Sequence, residues 1–251
     1  MITCCDCVHG INSLEDESID LVITSPPYNV NLGENKHNKN KYDVYQDNRE
    51  HGEYIEWLQN VFAAVFHKMV DGGRICINIG DGANGSLPTH SKIINFMEKI
   101  GYGVYTTIIW NKCQVGNRCA WGSFNSPSQP SFPTPFEYIL VFYKGSKKLL
   151  KKGESDLTKE EFIEWSLPIW AFPGEPKMKI HGHPAMFPIE LPERLMKMLS
   201  YVGATVLDPF SGAGTTGVAC AKNDRKFVGF DLSEEYCKIA DKRINEVILN
   251  G

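Results

Sequence analysis

The tract Thr24-Ser25-Pro26-Pro27-Tyr28 follows an apolar run, residues 19–23, that has the pattern of a buried strand. Each proline fixes its own φ and biases the preceding residue toward extended geometry, so the Ser25 hydroxyl and the Pro26 carbonyl have preset directions. Two such acceptors could each take one N–H of an aromatic amine. A proline-stiffened strand exit would explain the prolines, but not the polar Ser25 or an exposed Tyr28.

This pair of acceptors would suit the exocyclic amine of cytosine or adenine. The amine is a poor nucleophile because its lone pair is delocalised into the ring, and acceptors that pyramidalise the nitrogen would aim the lone pair at an electrophile. Catalysis would then rest on positioning and electrostatic stabilisation, with in-line attack. A base in a duplex must first be flipped out, and Tyr28 offers a ring on which it could stack. No metal is needed.

A second tract, residues 206–216, has the pattern of an apolar strand, a glycine turn and the start of a helix. Gly212 and Gly214 allow close approach of a ligand, and the helix N-terminus presents N–H groups that suit a carboxylate. The Gly-Lys-Ser/Thr ending of a phosphate-binding loop is absent. Asp231 ends another strand 23 residues after Asp208, near the spacing at which nucleotide-binding α/β folds reach a ribose.

Together these groups favour a ligand with an amino-acid end and a nucleoside end. Asp208 could hold an ammonium group, the amides of the glycine turn a carboxylate, and Asp231 both ribose hydroxyls. S-adenosylmethionine carries all of these groups. The second tract alone leaves NAD open as well.

The elements that must position both tracts are short apolar runs that alternate with segments of helical periodicity. This alternation predicts an α/β fold with a mostly parallel, seven-stranded sheet and helices on both faces, where ligands bind at the carboxyl ends of the strands. Strands are predicted at 2–5, 19–24, 74–79, 104–110, 136–143, 205–207 and 227–230. Helices are predicted at 53–69, 91–100, 189–200, 215–222 and 234–246, the last with Ser233 as N-cap, and a short one at 158–165.

Length and composition are those of one globular domain spanning residues 1–251. Hydrophobic residues make up 42% and charged residues 22%, and the net charge of −4 argues against non-specific coating of nucleic acid. The sequence shows neither a signal peptide nor the roughly 20 apolar residues of a membrane span, which predicts a cytoplasmic protein without a membrane partner. The 8 cysteines are expected to be reduced, and Cys4-x-x-Cys7, in a strand-like opening, has no distal pair with which to bind zinc.

Ser-Pro-Pro-Tyr at 25–28, followed much later by Asp-Pro-Phe-x-Gly-x-Gly-Thr-Thr at 208–216, resembles the beta group of amino-methylating DNA methyltransferases, whose catalytic motif precedes the cofactor motif. The resemblance covers nearly the whole chain, including Gly72-Gly73-Arg74 and the run that begins Glu137-Tyr138. It implies a Rossmann-like, S-adenosylmethionine-dependent methyltransferase fold with permuted motif order. The implied catalytic residues are Ser25, Pro26, Pro27 and Tyr28.

The resemblance also implies a set of cofactor contacts. Asp6 would contact the cofactor adenine, and the tract that starts at His183 would close over its methionine end. On residue type alone, His183 could also be a metal ligand with His181 or a buried, hydrogen-bonded side chain. The implied cofactor-binding residues are Asp6, Cys7, Thr24, His183, Pro184, Ala185, Phe187, Asp208, Pro209, Phe210, Gly212, Gly214, Thr215, Thr216, Asp231 and Leu232.

Ser25 bears on the choice of base. Adenine-N6 enzymes of the resembling family typically carry Asp or Asn there, whereas Ser-Pro-Pro-Tyr is associated with cytosine N4. A neutral hydroxyl can accept from the amine or donate to a ring nitrogen, while a carboxylate only accepts. We therefore predict methylation of cytosine N4 in duplex DNA, with adenine N6 as the alternative. More remote alternatives are an enzyme acting on RNA or protein glutamine, which usually has the reverse motif order, and a DNA-binding module that has lost catalysis.

Three stretches outside the predicted elements, 29–48, 111–135 and about 144–183, are candidates for DNA recognition, the last as a small insertion. Their lysines could contact phosphates, although a solvated loop gives the same pattern, and polar side chains of 111–135 could reach base edges. The candidate DNA contacts are Lys36, Lys39, Lys41, Asn111, Arg118, Asn125, Lys147, Lys148, Lys151 and Lys152. We expect neutralising the last four to weaken binding to all DNA sequences alike. A restriction endonuclease is the expected genetic partner, if there is one, and the chain would be a monomer or a homodimer.

Overall fold

The computed structural model describes residues 2–29, 44, 48–82, 85–113, 122–130, 132, 134–176, 183 and 185–250. Within these ranges, the buried apolar runs form an eight-stranded sheet with helices between the strands. The strands are β1 (Ile2–Cys4), β2 (Ile19–Thr24), β3 (Met69–Ile79), β4 (Gly103–Asn111), β5 (Phe136–Tyr143), β6 (Ile169–Ala171), β7 (Thr205–Asp208) and β8 (Lys226–Asp231). The helices are α1 (Cys7–Asn12), α2 (His51–Lys68), α3 (Thr89–Ile100), α4 (Lys159–Trp165), α5 (Glu190–Leu199), α6 (Thr215–Lys222) and α7 (Glu234–Asn250).

The strand order is β1-β8-β7-β2-β3-β5-β4-β6, and every neighbouring pair is parallel except the two that involve β5. We call the edge at which the seven codirectional strands end the carboxyl edge, and the opposite one the amino edge. β2 lies beside β7, although the two are far apart in the chain. The two chemically promising tracts therefore meet at the carboxyl edge, where open α/β sheets bind ligands.

Helices cover both faces of the sheet. Alternate residues of β2 point to opposite faces, so Val22 packs in the cluster formed with α1, α2 and α3, and Leu21 in the one formed with α5 and α6. Helix α2 buries a stripe that includes Tyr54, Leu58 and Phe62, at the spacing of one helical face. No helix in the described ranges is long and apolar enough to cross a membrane.

The predicted α/β fold is confirmed, with differences at its margins. β1 ends at Cys4 and Asp6 caps α1, so Cys7 begins a helix rather than ending a strand. β6 is an eighth strand that the prediction lacks; it pairs with β4 along the edge of the sheet. The predicted short helix exists as α4, with a Thr158 capping box, and Ser233 Oγ accepts from Tyr236 N at 3.2 Å as the N-cap of α7.

Candidate active site

A cavity of about 610 Å³ opens at the carboxyl edge, within the size range of small-molecule sites. The ends of β1, β2, β3, β5, β7 and β8 contribute to its walls. The structure thus brings the sequence-predicted catalytic tract and most of the predicted cofactor residues into one cavity. These lining residues are Ser25, Pro26, Pro27, Tyr28, Asp6, Cys7, His183, Ala185, Phe187, Asp208, Pro209, Phe210, Gly212, Thr215, Asp231 and Leu232.

Three predicted cofactor residues, Thr24, Gly214 and Thr216, are not among the residues that line the cavity. Thr24 is fully buried and donates to Asp208 Oδ1 at 2.6 Å, and Thr216 donates to Asp208 Oδ2 at 2.7 Å. Gly214 turns the chain into α6 with φ +75°, and a Cβ there would lie 2.6 Å from the Cβ of Ala240. The two threonine side chains and the Gly214 backbone therefore hold the glycine turn in place, and neighbouring residues of the same tracts face the cavity. Pro184 lies outside the described residues.

Asp208 joins the two tracts. Besides the two threonine hydroxyls, its carboxylate accepts the Phe210 N–H at 3.1 Å. Burial raises the pKa of Asp208 to about 6, against the lowering effect of these hydrogen bonds. Because Thr24 ends β2 and Asp208 ends β7, the contact holds the tract at 25–28 in register with the glycine turn.

Two carboxylates line the end of the cavity formed by β1 and β8, and both accept hydrogen bonds from backbone N–H groups. Asp231 accepts from Gly212 N and from Ser233 N, each at 2.9 Å. Asp6 Oδ1 accepts from Val8 N at 2.9 Å as the N-cap of α1. The Gly212 N–H, one of the glycine-turn amides predicted to bind a carboxylate, donates to the carboxylate of Asp231 in this structure.

His183 packs over the glycine turn. A Cβ at Gly212 would lie 2.7 Å from His183 Nε2, and the imidazole lies edge-on to Tyr236 with ring centroids 4.6 Å apart. Ala185 N donates to His183 Nδ1 at 3.3 Å, and burial lowers the pKa of His183 to about 4. The imidazole is therefore neutral near pH 7. Among the described residues, the His, Cys, Asp and Glu side chains form no group suited to a metal.

Ser211 supplies an unsatisfied polar atom in the cavity wall. Its Oγ is buried and has no hydrogen-bond partner among the described residues. A buried hydroxyl left unpaired costs about 1–3 kcal/mol. The Oγ is turned toward β8, 3.0 Å from where a Cβ of Gly229 would lie. The oriented carboxylates of Asp6 and Asp231 can accept from hydroxyl and N–H groups, so this end of the cavity fits a nucleoside.

The other end of the cavity is built around Tyr28. Its hydroxyl donates to Glu137 Oε2 at 2.9 Å, and accepts from Asn78 Nδ2 at 2.7 Å and from Ser25 Oγ at 3.2 Å. Tyr28 is thus half-buried and anchored by its hydroxyl, rather than exposed as the sequence suggested. Tyr54 Oη also donates to the Pro27 carbonyl at 2.7 Å, which secures the tract from the side of α2.

Glu137, Asn78 and Lys112 are site residues that sequence reasoning missed. Glu137 Oε1 accepts from Lys112 Nζ at 2.5 Å, and its Oε2 accepts from Asn78 Nδ2 at 2.8 Å. The side chains of Glu137 and Lys112 are 12% and 22% exposed. A signal was present, because Asn78 interrupts the apolar run at residues 75–79 of β3, and Glu137 is the one charged residue of β5.

The candidate DNA contacts divide between the two edges. Asn111 ends β4 and is exposed at the carboxyl edge, and Asn125 is exposed in the turn closed by the bridge between Gly122 and Pro130. Lys36, Lys39, Lys41 and Arg118 lie outside the described residues.

The remaining four lysines lie at the amino edge, away from the cavity. β5 runs opposite to its neighbours, so the segment that follows it, residues 144–156, crosses the amino ends of the other strands. There Lys151 pairs with Asp20 at 3.8 Å, and Lys147 Nζ lies 5.1 Å from the centroid of Tyr105. The structure does not bring Lys147, Lys148, Lys151 and Lys152 to the predicted site.

Comparison with known proteins supplies the family context. The N6_N4 methyltransferase family, described as DNA methylase, matches residues 19–242. The type II methyltransferase M.MjaVI of Methanocaldococcus jannaschii is 43% identical over 169 residues, covering 66% of this chain and 83% of that protein. M.MjaI of the same organism is 34% identical, covering 93% of this chain and 88% of that one.

Solved structures share the fold. TTHA0409 of Thermus thermophilus, described as a DNA modification methylase and complexed with S-adenosyl-L-methionine, superposes with a TM-score of 0.77. It is 30% identical, and the match covers 98% of this chain and 93% of that one. The PvuII DNA methyltransferase, which is cytosine-N4-specific, gives a TM-score of 0.71 at 22% identity, a likeness of fold.

Proposed function

Since the chain belongs to the N6_N4 family of DNA methylases, and is thus an S-adenosylmethionine-dependent DNA methyltransferase, we propose that its target is the N4 amine of cytosine in duplex DNA. The position of Ser25 carries this proposal. A half-buried hydroxyl, not an acid, stands at the head of the Pro-Pro-Tyr tract in the cavity wall. The resemblance associates this residue with cytosine N4.

The two ends of the cavity would divide the work. S-adenosylmethionine, when bound, supplies an activated methyl group. Asp231 would hold the ribose, and Asp6 the adenine, at the end of the cavity formed by β1 and β8. At the other end, Ser25 Oγ and the Pro26 carbonyl would each accept one N–H of the target amine, and Tyr28 would stack on the base.

The flipped base would enter from a DNA duplex lying across the carboxyl edge. Asn111 and Asn125 are exposed there and would contact the DNA, whereas the lysines of the amino edge would not. Chemistry on a paired nucleotide generally requires that its base be extruded from the duplex. We also propose that the enzyme is cytoplasmic. The relatives named type II methyltransferases support a restriction endonuclease as its genetic partner.

The test is to incubate the protein with methyl-labelled S-adenosylmethionine and unmethylated duplex DNA, and to digest the product to nucleosides. Label in N4-methylcytosine is the expected result, and label in N6-methyladenine would contradict the choice of base. Label in neither nucleoside would contradict the amine target itself.

Ser18, which immediately precedes β2 as Ser25 immediately follows it, offers a matched control. Ser25→Ala should abolish most transfer, because one of the two amine acceptors is lost. Ser18→Ala removes a hydroxyl at the amino end of β2 that bonds only locally, to the Glu15 carbonyl at 2.7 Å, and should leave transfer unchanged.

A further inference from the structure

The Tyr28 hydroxyl has a full set of hydrogen bonds. A phenol hydroxyl has one proton to donate and accepts through the lone pairs of its oxygen. In this site the proton goes to Glu137 Oε2, and the oxygen accepts from Asn78 and Ser25. The direction of each bond is therefore set by what its partner can do.

Glu137 sets the first of these directions. An ionised carboxylate accepts hydrogen bonds and cannot donate them, so Tyr28 must be the donor in its bond to Glu137. The other carboxylate oxygen, Oε1, also acts as an acceptor, because Lys112 Nζ donates to it at 2.5 Å. Because the carboxylate can only accept, the Asn78 amide must also turn its donor, Nδ2, toward Glu137 Oε2. The amide oxygen of Asn78, Oδ1, has no hydrogen-bond partner in the described part of the chain.

The consequence reaches Ser25. With its own proton committed to Glu137, the Tyr28 hydroxyl can only accept from Ser25, so the Ser25 proton is directed away from the place expected for the target amine. We propose that Glu137, acting through Tyr28, is a positioning residue that makes Ser25 an acceptor for the amine N–H. We call the three residues the hydroxyl chain.

This inference rests on the proposed role of Ser25 and adds a reason why a serine suffices there. A free hydroxyl could either donate or accept, and a donating serine would compete with the N–H groups of the amine. The hydroxyl chain removes this ambiguity. The Glu137 carboxylate accepts the hydrogen bond of Tyr28, and Ser25 must therefore be the donor in its bond to Tyr28. β5 is antiparallel to its neighbours, which is why its first residues, including Glu137, lie at the carboxyl edge.

The test is a double-mutant cycle between Glu137→Gln and Tyr28→Phe, measured as single-turnover methyl transfer. Phenylalanine keeps the stacking ring but breaks the chain, and glutamine keeps the shape but can donate, so each variant should slow transfer by about 10- to 100-fold. Because both break the same chain, the double variant should be no slower than the slower single one. Multiplying effects would overturn the proposal, as would a Glu137→Gln enzyme of normal rate.

Further readouts separate positioning from damage to the fold. The Kd for S-adenosylmethionine should stay within about threefold of wild type in all three variants, and a larger loss would contradict a role confined to the amine. Glu137→Asp, which can only accept, should retain more activity than Glu137→Gln; the reverse order would contradict the proposal. Asp81→Asn is the matched control, since this carboxylate follows β3 but pairs with His90 at 2.8 Å, and its rate should be unchanged.

Failure of this inference is distinguishable from failure of the proposed function. If Ser25→Ala transfers methyl groups at the wild-type rate, Ser25 is not an amine acceptor and both fall. If Ser25→Ala is slow while the effects of Glu137→Gln and Tyr28→Phe multiply, the role of the hydroxyl chain is contradicted but the role of Ser25 as an amine acceptor is not.

Discussion

At the carboxyl edge, Tyr28, Asn78 and Glu137 bond to one another along the wall of a cavity. At the amino edge, Arg225 and Asp20 bond to the backbone just before and at the start of β7. Arg225, whose side chain is fully buried, donates to Asp156, to the Ser200 carbonyl and to the Asn223 carbonyl. Both regions are rich in polar side chains. At the carboxyl edge the polar side chains surround space for a ligand. At the amino edge they fill the space between loops.

The difference teaches that charge and polarity alone do not mark a functional surface. Arg225 and Asp20 are satisfied by the chain itself, so their loss should reduce the free energy of unfolding and leave chemistry intact. The carboxyl-edge groups leave Ser211 Oγ and Asn78 Oδ1 without partners among the described residues, and their loss should reduce activity first.

The largest effect is expected at Tyr28. Tyr28→Ala removes the stacking ring and the centre of the hydrogen-bond network, and should lower the rate of methyl transfer about 1000-fold while cofactor affinity changes little. Asp231→Ala should do the reverse, weakening cofactor binding far more than transfer at saturating cofactor, because Gly212 N and Ser233 N lose their acceptor. Single-turnover rates and cofactor titrations measure both. Equal losses of cofactor binding in the two variants would contradict a cavity with two separate ends.

At the amino edge, Arg225→Ala should destabilise the protein by about 3 kcal/mol, because it removes a buried cation and leaves Asp156 without its bidentate partner. Urea denaturation measures the loss. The folded variant should methylate DNA at the wild-type rate, since none of the partners of Arg225 lines the cavity. A slow but stable variant would show that the two edges are coupled.

The direction of one strand decides much of what the sequence could and could not predict. The buried runs of β2, β5 and α6 have predicted bounds that agree with the structure, because long apolar stretches and a glycine turn carry strong local signals. The antiparallel direction of β5 has no such signal. This direction places Glu137, at the start of β5, in the site, and the lysines that follow Tyr143 at the opposite edge. It therefore explains both why Glu137 was missed and why the lysines were expected near the DNA.

Short elements were missed for a different reason. β6 has three residues, two of them exposed, and is a strand only because β4 lies beside it. α1 has six residues and begins in a cysteine-rich stretch, although Asp6 is a recognisable N-cap. The predicted meeting of the two tracts at the carboxyl edge was available from the sequence, because it depends only on the parallel strands β2 and β7.

The buried carboxyl of Asp208 should make stability depend on pH. Its folded pKa of about 6 lies above the ordinary value of 3.8, so between these pH values the folded state holds a proton that the unfolded state has lost. Stability should therefore fall as pH rises from 4 through 6, by about 3 kcal/mol from this group. Asp208→Asn should lack this decline. His183, whose pKa is lowered, acts with the opposite sign, but it is present in both proteins and cancels in their difference.

Two glycines at opposite ends of β7 provide a smaller, matched comparison. Gly212 and Gly203 both have positive φ, +49° and +79°, but a Cβ at Gly212 would lie 2.7 Å from His183 Nε2, whereas one at Gly203 meets nothing within 4 Å. Gly212→Ala should weaken cofactor binding about 30-fold, or about 2 kcal/mol, by displacing His183 from the cavity wall. Gly203→Ala should cost only about 1–2 kcal/mol of backbone strain. Equal cofactor affinities in the two variants would argue against the close approach of His183 to the turn.

The smallest effect is expected where the sequence suggested a DNA contact. Replacing Lys147, Lys148, Lys151 and Lys152 with alanine removes four positive charges from the amino edge, where Lys151 pairs with Asp20. A duplex whose base enters at the carboxyl edge lies well beyond the roughly 10 Å over which surface charges act in 0.1 M salt. DNA affinity and its salt dependence should therefore change less than twofold, as measured by titration at several salt concentrations. A flatter salt dependence would mean that the DNA also contacts the amino edge, since each lost phosphate contact reduces the slope by about one unit.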